Sequence, residues 1–374
     1  MRVVITGANG FIGSNLITTL RRDADIEIIP FDVGANEDDL EKALASADFL
    51  VHLAGVNRPQ NEAEFKTGNT DFTQVVCDLL VKHGRRIPVV LTSSAQAEMD
   101  NPYGASKKGA EGIVSEYAEK HGGTALIYRL TNVFGKWCRP NYNSAVATFC
   151  HNIARNLPIT ISDRNNQLRL VHIDDVVSCF REDLLSSHTG GVKQREATPT
   201  YQLTLGDLVD QLESFRGMRE SLLVPDLEPE FVQKLYSTYL SYLEDDAFAY
   251  NLKKHVDPRG SLAEFVKSPH FGQLFISRTK PGITRGDHYH HIKTEKFLVV
   301  DGQAIVRFRD IRGEGEVIEY RVDGEEFRVV DIPPGYTHSI ENVGTGELIT
   351  VFWASEIFDQ ARPDTYGMPV LEKN

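Results

Sequence analysis

Apolar and polar positions follow two different rhythms along this chain. From residue 1 to about 190, short apolar runs alternate with amphipathic stretches of helical period. Residues 3–6, 27–31, 49–54, 89–92 and 125–129 read as strands. Residues 11–21, 38–47, 71–82 and 104–121 read as the helices between them. Strand–helix alternation at this spacing predicts a Rossmann-like α/β domain with a doubly wound parallel sheet. Beyond about residue 250 the rhythm shortens. Residues 273–279, 296–300, 304–310, 315–322, 325–332, 337–342 and 347–354 are rich in strand formers, with turns such as Asp301-Gly302 and Asp323-Gly324 between them. Many short strands with Gly-bearing turns predict an all-β sandwich or barrel. Residues 228–246, rich in Tyr, Leu and acids, read as a connecting helix. The boundary is set near 245, giving domains 1–245 and 246–374.

Length and charge narrow the function classes. A chain of 374 residues suits two domains, and its net charge of −13 carries no basic footprint for nucleic acid or anionic membrane. No segment approaches the ~20 apolar residues of a membrane helix. The start, Met1-Arg2-Val3-Val4-Ile5-Thr6-Gly7, reads as a first strand rather than a signal peptide, so a cytoplasmic protein is expected. Cys77, Cys138, Cys150 and Cys179 have no CxxC spacing and read as reduced core thiols.

The first strand runs into Thr6-Gly7-Ala8-Asn9-Gly10-Phe11-Ile12-Gly13 and then a helix. Glycines here permit a tight turn and close backbone approach, and the helix start offers amides to a pyrophosphate. Thr6, Gly7, Gly10, Phe11, Ile12, Gly13, Asp32, Leu53, Ala54 and Lys107 are the candidate coenzyme-binding residues. The glycine spacing resembles that of the short-chain dehydrogenase/reductase superfamily, as does Tyr103-Gly104-Ala105-Ser106-Lys107 after Thr92-Ser93-Ser94. Tyr103 and Lys107 are four apart and share a helical face. An ammonium there favours tyrosinate, so Tyr103 can release and recover a proton. Ser94 is the candidate to hold a carbonyl oxygen, with Thr92 and Ser93 competing for that role. Only eight residues separate Ser94 from Tyr103, fewer than is usual in the superfamily, so the substrate loop is trimmed.

Asn69 and the runs 129–135 and 169–176 resemble motifs of the extended short-chain subclass, which contains nucleotide-sugar epimerases, dehydratases and reductases. The resemblance implies that Asn132 and Arg169 line a sugar-nucleotide site. Asp174 and Asp175 read as helix capping. Asp32, after the second strand, stands where a carboxylate accepts the ribose hydroxyls of NADH and repels a 2′-phosphate.

In the second half, Gly282, His288, His290, Glu295 and Gly302 match the first cupin motif, and residues 333–342, with His338, represent the second. Strand residues separated by one share a face, so His288 and His290 aim together. Three imidazoles and a carboxylate from Glu295 suit a divalent ion, zinc before Fe, Ni or Mn. In sugar epimerases of this fold a histidine also serves as base without metal. His255 and His291 fall outside the pattern and read as surface or core residues.

A reductase fused to a cupin, together with the runs 134–144 and 235–243, resembles the CapF-type family of capsular polysaccharide enzymes over essentially the whole chain. That resemblance implies C3 inversion of a UDP-linked 2-acetamido-2,6-dideoxy-4-hexulose in the cupin half. NADPH-dependent C4 reduction to UDP-2-acetamido-2,6-dideoxy-L-talose then follows, on the route to UDP-N-acetyl-L-fucosamine. It also implies zinc in the cupin and a homodimer joined through the cupin domains. Asp32 points instead to NADH. Tyr289, Lys293, His288 and Tyr336 are candidates by position for the C3 base. Two other readings stand beside this one. The cupin serves only for dimerisation or binding, or the chain is a non-catalytic sensor of NAD(P) and a nucleotide sugar. The retained Tyr103 and Lys107 argue against the sensor.

Overall fold

The computed structural model describes residues 1–313 and 315–371; residues 314 and 372–374 of the segment expected to form the second domain lie outside the described residues. The chain separates into two compact units, Met1–Glu213 with Gln233–Glu244, and Ser214–Val232 with Asp245–Asn374.

The first unit begins β1 (Arg2–Thr6), α1 (Phe11–Leu20), β2 (Glu27–Phe31), α2 (Glu37–Ala45) and β3 (Phe49–His52). It continues with the single turn α3 (Ala63–Phe65), α4 (Phe72–Lys82), β4 (Pro88–Ser94), α5 (Pro102–His121) and β5 (Thr124–Leu130). Next come β6 (Asn132–Phe134), α6 (Ala145–Ala154), β7 (Gln167–His172), α7 (Ile173–Leu185), β8 (Gly191–Arg195) and β9 (Thr200–Thr204). The main sheet is parallel throughout, in the order β2-β1-β3-β4-β5-β8. Alternation along each strand supplies two cores. Val4, Leu50, Val89, Leu91 and Ile127 face Leu40, Leu44, Val76, Leu80 and Val114 of α2, α4 and α5. Val3, Ile5, Val51, Val90 and Leu126 face Leu16, Leu20, Val176 and Phe180 of α1 and α7. Each such aliphatic burial stabilises the fold by roughly 1.5–3 kcal/mol. Strands buried on both faces are what a doubly wound sheet requires.

Because β1 lies between β2 and β3, the connections on its two sides leave in opposite directions. A crevice opens at such a switch point, at the carboxyl ends of the strands. β2 is an edge of the sheet and carries an exposed Pro30, which has no amide proton to offer. Edge strands are where proline is tolerated.

The helix predicted over 228–246 is shorter, α9 (Glu230–Leu240), and follows an unpredicted α8 (Leu205–Ser221). In the second unit the strands are β10 (Lys254–Asp257), β11 (Gly260–Ser268), β12 (Gly272–Thr279), β13 (Thr284–Tyr289), β14 (Glu295–Asp301) and β15 (Gln303–Asp310). They continue as β16 (Ile318–Asp323), β17 (Val329–Ile332), β18 (Tyr336–Asn342), β19 (Leu348–Ala354) and β20 (Tyr366–Gly367). Two antiparallel sheets, β10-β11-β12-β19-β14-β17 and β16-β15-β18-β13-β20, make a cupin-like barrel around Phe297, Val306, Phe308, Ile340 and Phe352. The strand predicted over 325–332 starts only at Val329. Before it, the Asp323 carboxylate accepts from the amides of Glu325 and Glu326, and Phe327 is left-handed at φ +47°, which holds a turn. Among the described residues, no helix is long and apolar enough to cross a membrane.

Candidate functional site

The glycine loop closes because no side chain fits in it. A Cβ on Gly7, whose φ is +68°, would stand 2.7 Å from the Ala54 amide nitrogen; one on Gly13 would stand 2.3 Å from Gly7 O. Gly10 caps α1, leaving amides of its first turn directed out of the strand end. Gly7, Gly10, Phe11, Ile12, Gly13 and Leu53 line a cleft of about 1050 Å³, which also reaches Ser94, Tyr103, Lys107, Asn132 and Arg169. That volume is at the upper end of the roughly 300–1,000 Å³ of small-ligand sites.

Three candidate coenzyme residues stand behind the lining. Thr6 is buried, with Oγ1 2.7 Å from His52 Nδ1 and accepting from the Ala54 amide at 3.3 Å, so Thr6 and Ala54 brace the wall. Asp32 accepts from the amides of Asn9 at 2.5 Å and Val33 at 2.7 Å, which ties the end of β2 to the glycine loop. Burial and the Lys107 charge push the His52 imidazole down to about 3, so it is neutral.

The trimmed connection between Ser94 and Tyr103 is a 3₁₀ turn, Ala95–Glu98, against which α5 starts. Asn101 caps α5 by accepting from the Gly104 amide at 2.8 Å, and Pro102 opens the first turn. A Cβ on Gly104 would lie 2.2 Å from Gln96 O, so glycine lets helix and turn meet. Tyr103 thereby enters the cleft beside Ser94. The three hydroxyls that competed by sequence differ in their partners. Thr92 donates to His52 O at 3.3 Å and Ser93 donates to Glu111 at 2.5 Å. The Ser94 hydroxyl accepts from the Gln96 amide at 3.1 Å, which leaves its own proton for another acceptor.

The electrostatics differ from expectation at Tyr103. Sequence spacing predicts a phenol acidified by Lys107. Instead burial dominates and pushes the Tyr103 phenol up, with the Ser94 hydroxyl acting in the opposite sense. Lys107 Nζ stands 6.0 Å from the ring centroid and donates to Thr92 O at 3.1 Å. Burial pushes its ammonium down to about 8, opposed by Glu111 one helical turn on. Glu111 itself holds Arg129 through two bonds of 2.8 and 2.9 Å, a pairing the sequence gives no local signal for. Asn132 donates to Arg169 O at 3.3 Å, and Arg169 Nε donates to Thr200 at 3.4 Å. Asp174 and Asp175 are first-turn residues of α7 rather than its cap, which is His172; they pair with Lys136 and Lys234.

In the barrel, His288, His290, Glu295 and His338 bring one ligand atom each within 4.8 Å of one another. The route to this convergence is not simple alternation. β13 carries a register shift between Gly286 and His288, Asp287 is left-handed at φ +59°, and His290 lies just past the strand. His338 faces His288 across the β13–β18 pair with ring centroids 4.6 Å apart, and Glu295 opens β14. His290 Nε2 and His338 Nε2 are buried without hydrogen-bond partners, 3.6 and 3.4 Å from the two Glu295 oxygens. Buried polar atoms left so are rare unless a further group joins them. Burial would raise the Glu295 carboxyl, but the adjoining His290 and His338 rings outweigh it and hold the acid well below the usual range. Burial, then the His338 charge, push His288 down to about 4, leaving a lone pair free. A neutral His288 and an ionised Glu295 are forms that bind a metal, and with His290 and His338 brought to the same point the set fits a divalent ion.

Two of the four candidates for a C3 base point elsewhere. Tyr289 stacks on Tyr366 at 5.3 Å, and Lys293 Nζ donates to Pro363 O and Thr365 Oγ1 at 3.2 and 2.8 Å. Tyr336 packs on the interior cluster, two residues from His338 on the same strand face. His291 and His255 are exposed. All four cysteines are free, and burial pushes the Cys77 thiol up to about 12.

The description of the NAD dependent epimerase/dehydratase family matches residues 3–191, and that of the Polysaccharide biosynthesis C-terminal domain matches residues 255–366. The chain is 45% identical over 372 residues to the UDP-2-acetamido-2,6-beta-L-arabino-hexul-4-ose reductase of Pseudomonas aeruginosa, covering 100% of each. Its structure is similar to that of the capsular polysaccharide assembling protein CapF from Staphylococcus aureus. The TM-score is 0.92 at 46% identity, over 99% of this chain and 100% of that one. A CapF structure with the inhibitor 3-isopropenyl-tropolone gives 0.88 at 42%, over 99% and 100%.

Proposed function

Because the chain belongs to the NAD dependent epimerase/dehydratase family, and along its whole length to the CapF-type group, we propose that it is a UDP-sugar 4-keto reductase of capsule polysaccharide biosynthesis. The observation that carries this reading is the cleft that the glycine loop shares with Ser94, Tyr103 and Lys107. A reductase domain over 1–245 acts on C4 of a UDP-linked 2-acetamido-2,6-dideoxy-4-hexulose. Ser94 donates to the C4 carbonyl oxygen and Tyr103 delivers a proton to it as the carbon is reduced. A phenol pushed up by burial keeps that proton at neutral pH, which suits an acid in the reductive direction. Lys107 places positive charge beside the forming alkoxide, and Asn132 and Arg169 hold the sugar nucleotide. The coenzyme, when bound against the glycine loop, supplies the hydride.

In the same reading, the cupin domain over 246–374 first inverts C3, whose proton the C4 ketone acidifies, so that reduction then yields UDP-2-acetamido-2,6-dideoxy-L-talose and fixes the new configuration. His288, His290, Glu295 and His338 would hold zinc, which when bound supplies Lewis acidity towards a ketone oxygen or ties the strands together. Tropolones chelate metals through adjacent oxygens, so an inhibitor of that class on CapF supports a metal in this group of proteins. A homodimer joined through the cupin domains belongs to the reading; Val256, Phe265 and Ile276 of β10–β12 are 75%, 51% and 38% exposed. The resemblance implies NADPH. One observation favours NADH instead: the Asp32 carboxylate at the end of β2, adjoining the glycine loop, opposes a 2′-phosphate.

The test uses the full chain with the UDP-4-hexulose. NADPH and NADH oxidation are followed separately, products are read by NMR, and C3 deuterium uptake is measured in D₂O without coenzyme. Reduction without C3 uptake removes the epimerase and leaves the reductase with a cupin binding module. No oxidation of either coenzyme sinks the reductase.

A further inference from the structure

The geometry points to Asp364 as the positioning residue of the metal centre, an inference that rests on the metal-binding reading above. His290 and Glu295 are joined by a loop of four residues, and Asp364 reaches that loop from more than seventy positions along the chain. Its carboxylate accepts from three successive amides, those of His291 at 3.0 Å, Ile292 at 2.9 Å and Lys293 at 2.8 Å. Successive amides turned inward make a concave seat for an anion. The Asp364 carbonyl meanwhile lies 2.6 Å from His290 Nδ1. That contact makes Nδ1 the donor, so Nε2 presents its lone pair towards Glu295 and the other imidazoles. One residue therefore fixes both the tautomer of a ligand and the path of the chain between two ligands.

Two further observations show that the contact is built. Asp364 holds a left-handed backbone at φ +36°, uncommon for a residue with a Cβ and adopted more readily by Asp and Asn than by most. Its neighbours are tied to the same loop, since Lys293 Nζ donates to Pro363 O and Thr365 Oγ1, and the residue after Thr365 opens β20 against Tyr289. Nothing in the local sequence marks this aspartate. Partners that orient a metal-bound histidine act on affinity through the ligand, not by touching the ion.

The experiment titrates full-length protein with zinc against a chromogenic chelator of known affinity and records the visible spectrum of the cobalt-loaded form. Asp364→Gly removes the carboxylate while keeping the backbone carbonyl and tolerating positive φ. Zinc affinity is expected to fall by about 10–100-fold and the cobalt spectrum to change, with melting in excess chelator unchanged. Asp364→Asn, which keeps an accepting oxygen and also tolerates this backbone, is expected to recover most of the affinity. Wild-type zinc affinity and cobalt spectrum in Asp364→Gly overturn the proposal. So does a loss in Asp364→Asn as large as in Asp364→Gly. If wild-type protein binds neither zinc nor cobalt, the metal reading itself fails, and this inference falls with it.

Discussion

At the residue scale, the proposed chemistry of the first unit depends on two groups whose burial moves them in opposite directions. Tyr103 is pushed up and keeps its proton; Lys107 is pushed down to about 8. Tyr103→Phe deletes only the proton donor, so turnover should drop by about 10²–10⁴-fold while coenzyme affinity stays near wild type. Unchanged turnover would refute the assignment. For Lys107 the sign follows from its charge. The working form is the ammonium, fully present below about 8 and lost as pH rises through that value. Reduction should therefore decline above about pH 8, and Lys107→Arg, which stays protonated, should abolish that alkaline limb in a kcat/KM profile. A limb that survives the substitution assigns it to another group. Tyr103 and Lys107 are legible in sequence because their relation is local, four residues on one helix. Glu111 with Arg129, and Asp364 with residues 291–293, are not. Their partners come together only through the fold.

At the element scale, legibility tracks how strongly a segment alternates. β1, β3, β4 and β5 were readable because their apolar runs are buried on two faces, and β2, at the edge, because its apolar run stands between two helical stretches. β13 was not. Its sequence, Thr284-Arg285-Gly286-Asp287-His288-Tyr289, is polar and bulged, and none of its six residues is buried. β6 to β9 and α6 to α8 were missed as separate elements, although Asn132 and Arg169 within them were picked out by motif. The strand–loop–helix junction at the amino terminus allows the sharpest test. Gly13→Ala adds one methyl group 2.3 Å from Gly7 O and 2.7 Å from Ala8 O. Backbone atoms cannot yield as a side-chain tip can, so the loop must open. Coenzyme binding, followed by NAD(P)H fluorescence, should be lost while the far-ultraviolet dichroism of the sheet persists; full-strength binding would show that the loop is not the pyrophosphate seat.

At the scale of the whole molecule, the alternation of strands and helices foretold the parallel sheet, and the Gly-bearing turns foretold the barrel. The order β2-β1-β3-β4-β5-β8 was beyond reach, because order depends on which face each crossover takes. That order has a consequence for behaviour in solution. A sheet ending at β2 presents an open rim to neighbouring molecules, and a rim of free amides invites intermolecular zippering. Pro30 interrupts that row on the side facing water. Pro30→Val should leave the fold standing yet make the protein clump on concentration, visible as rising light scattering and thioflavin signal. Unaltered scattering would mean that the rim is guarded some other way.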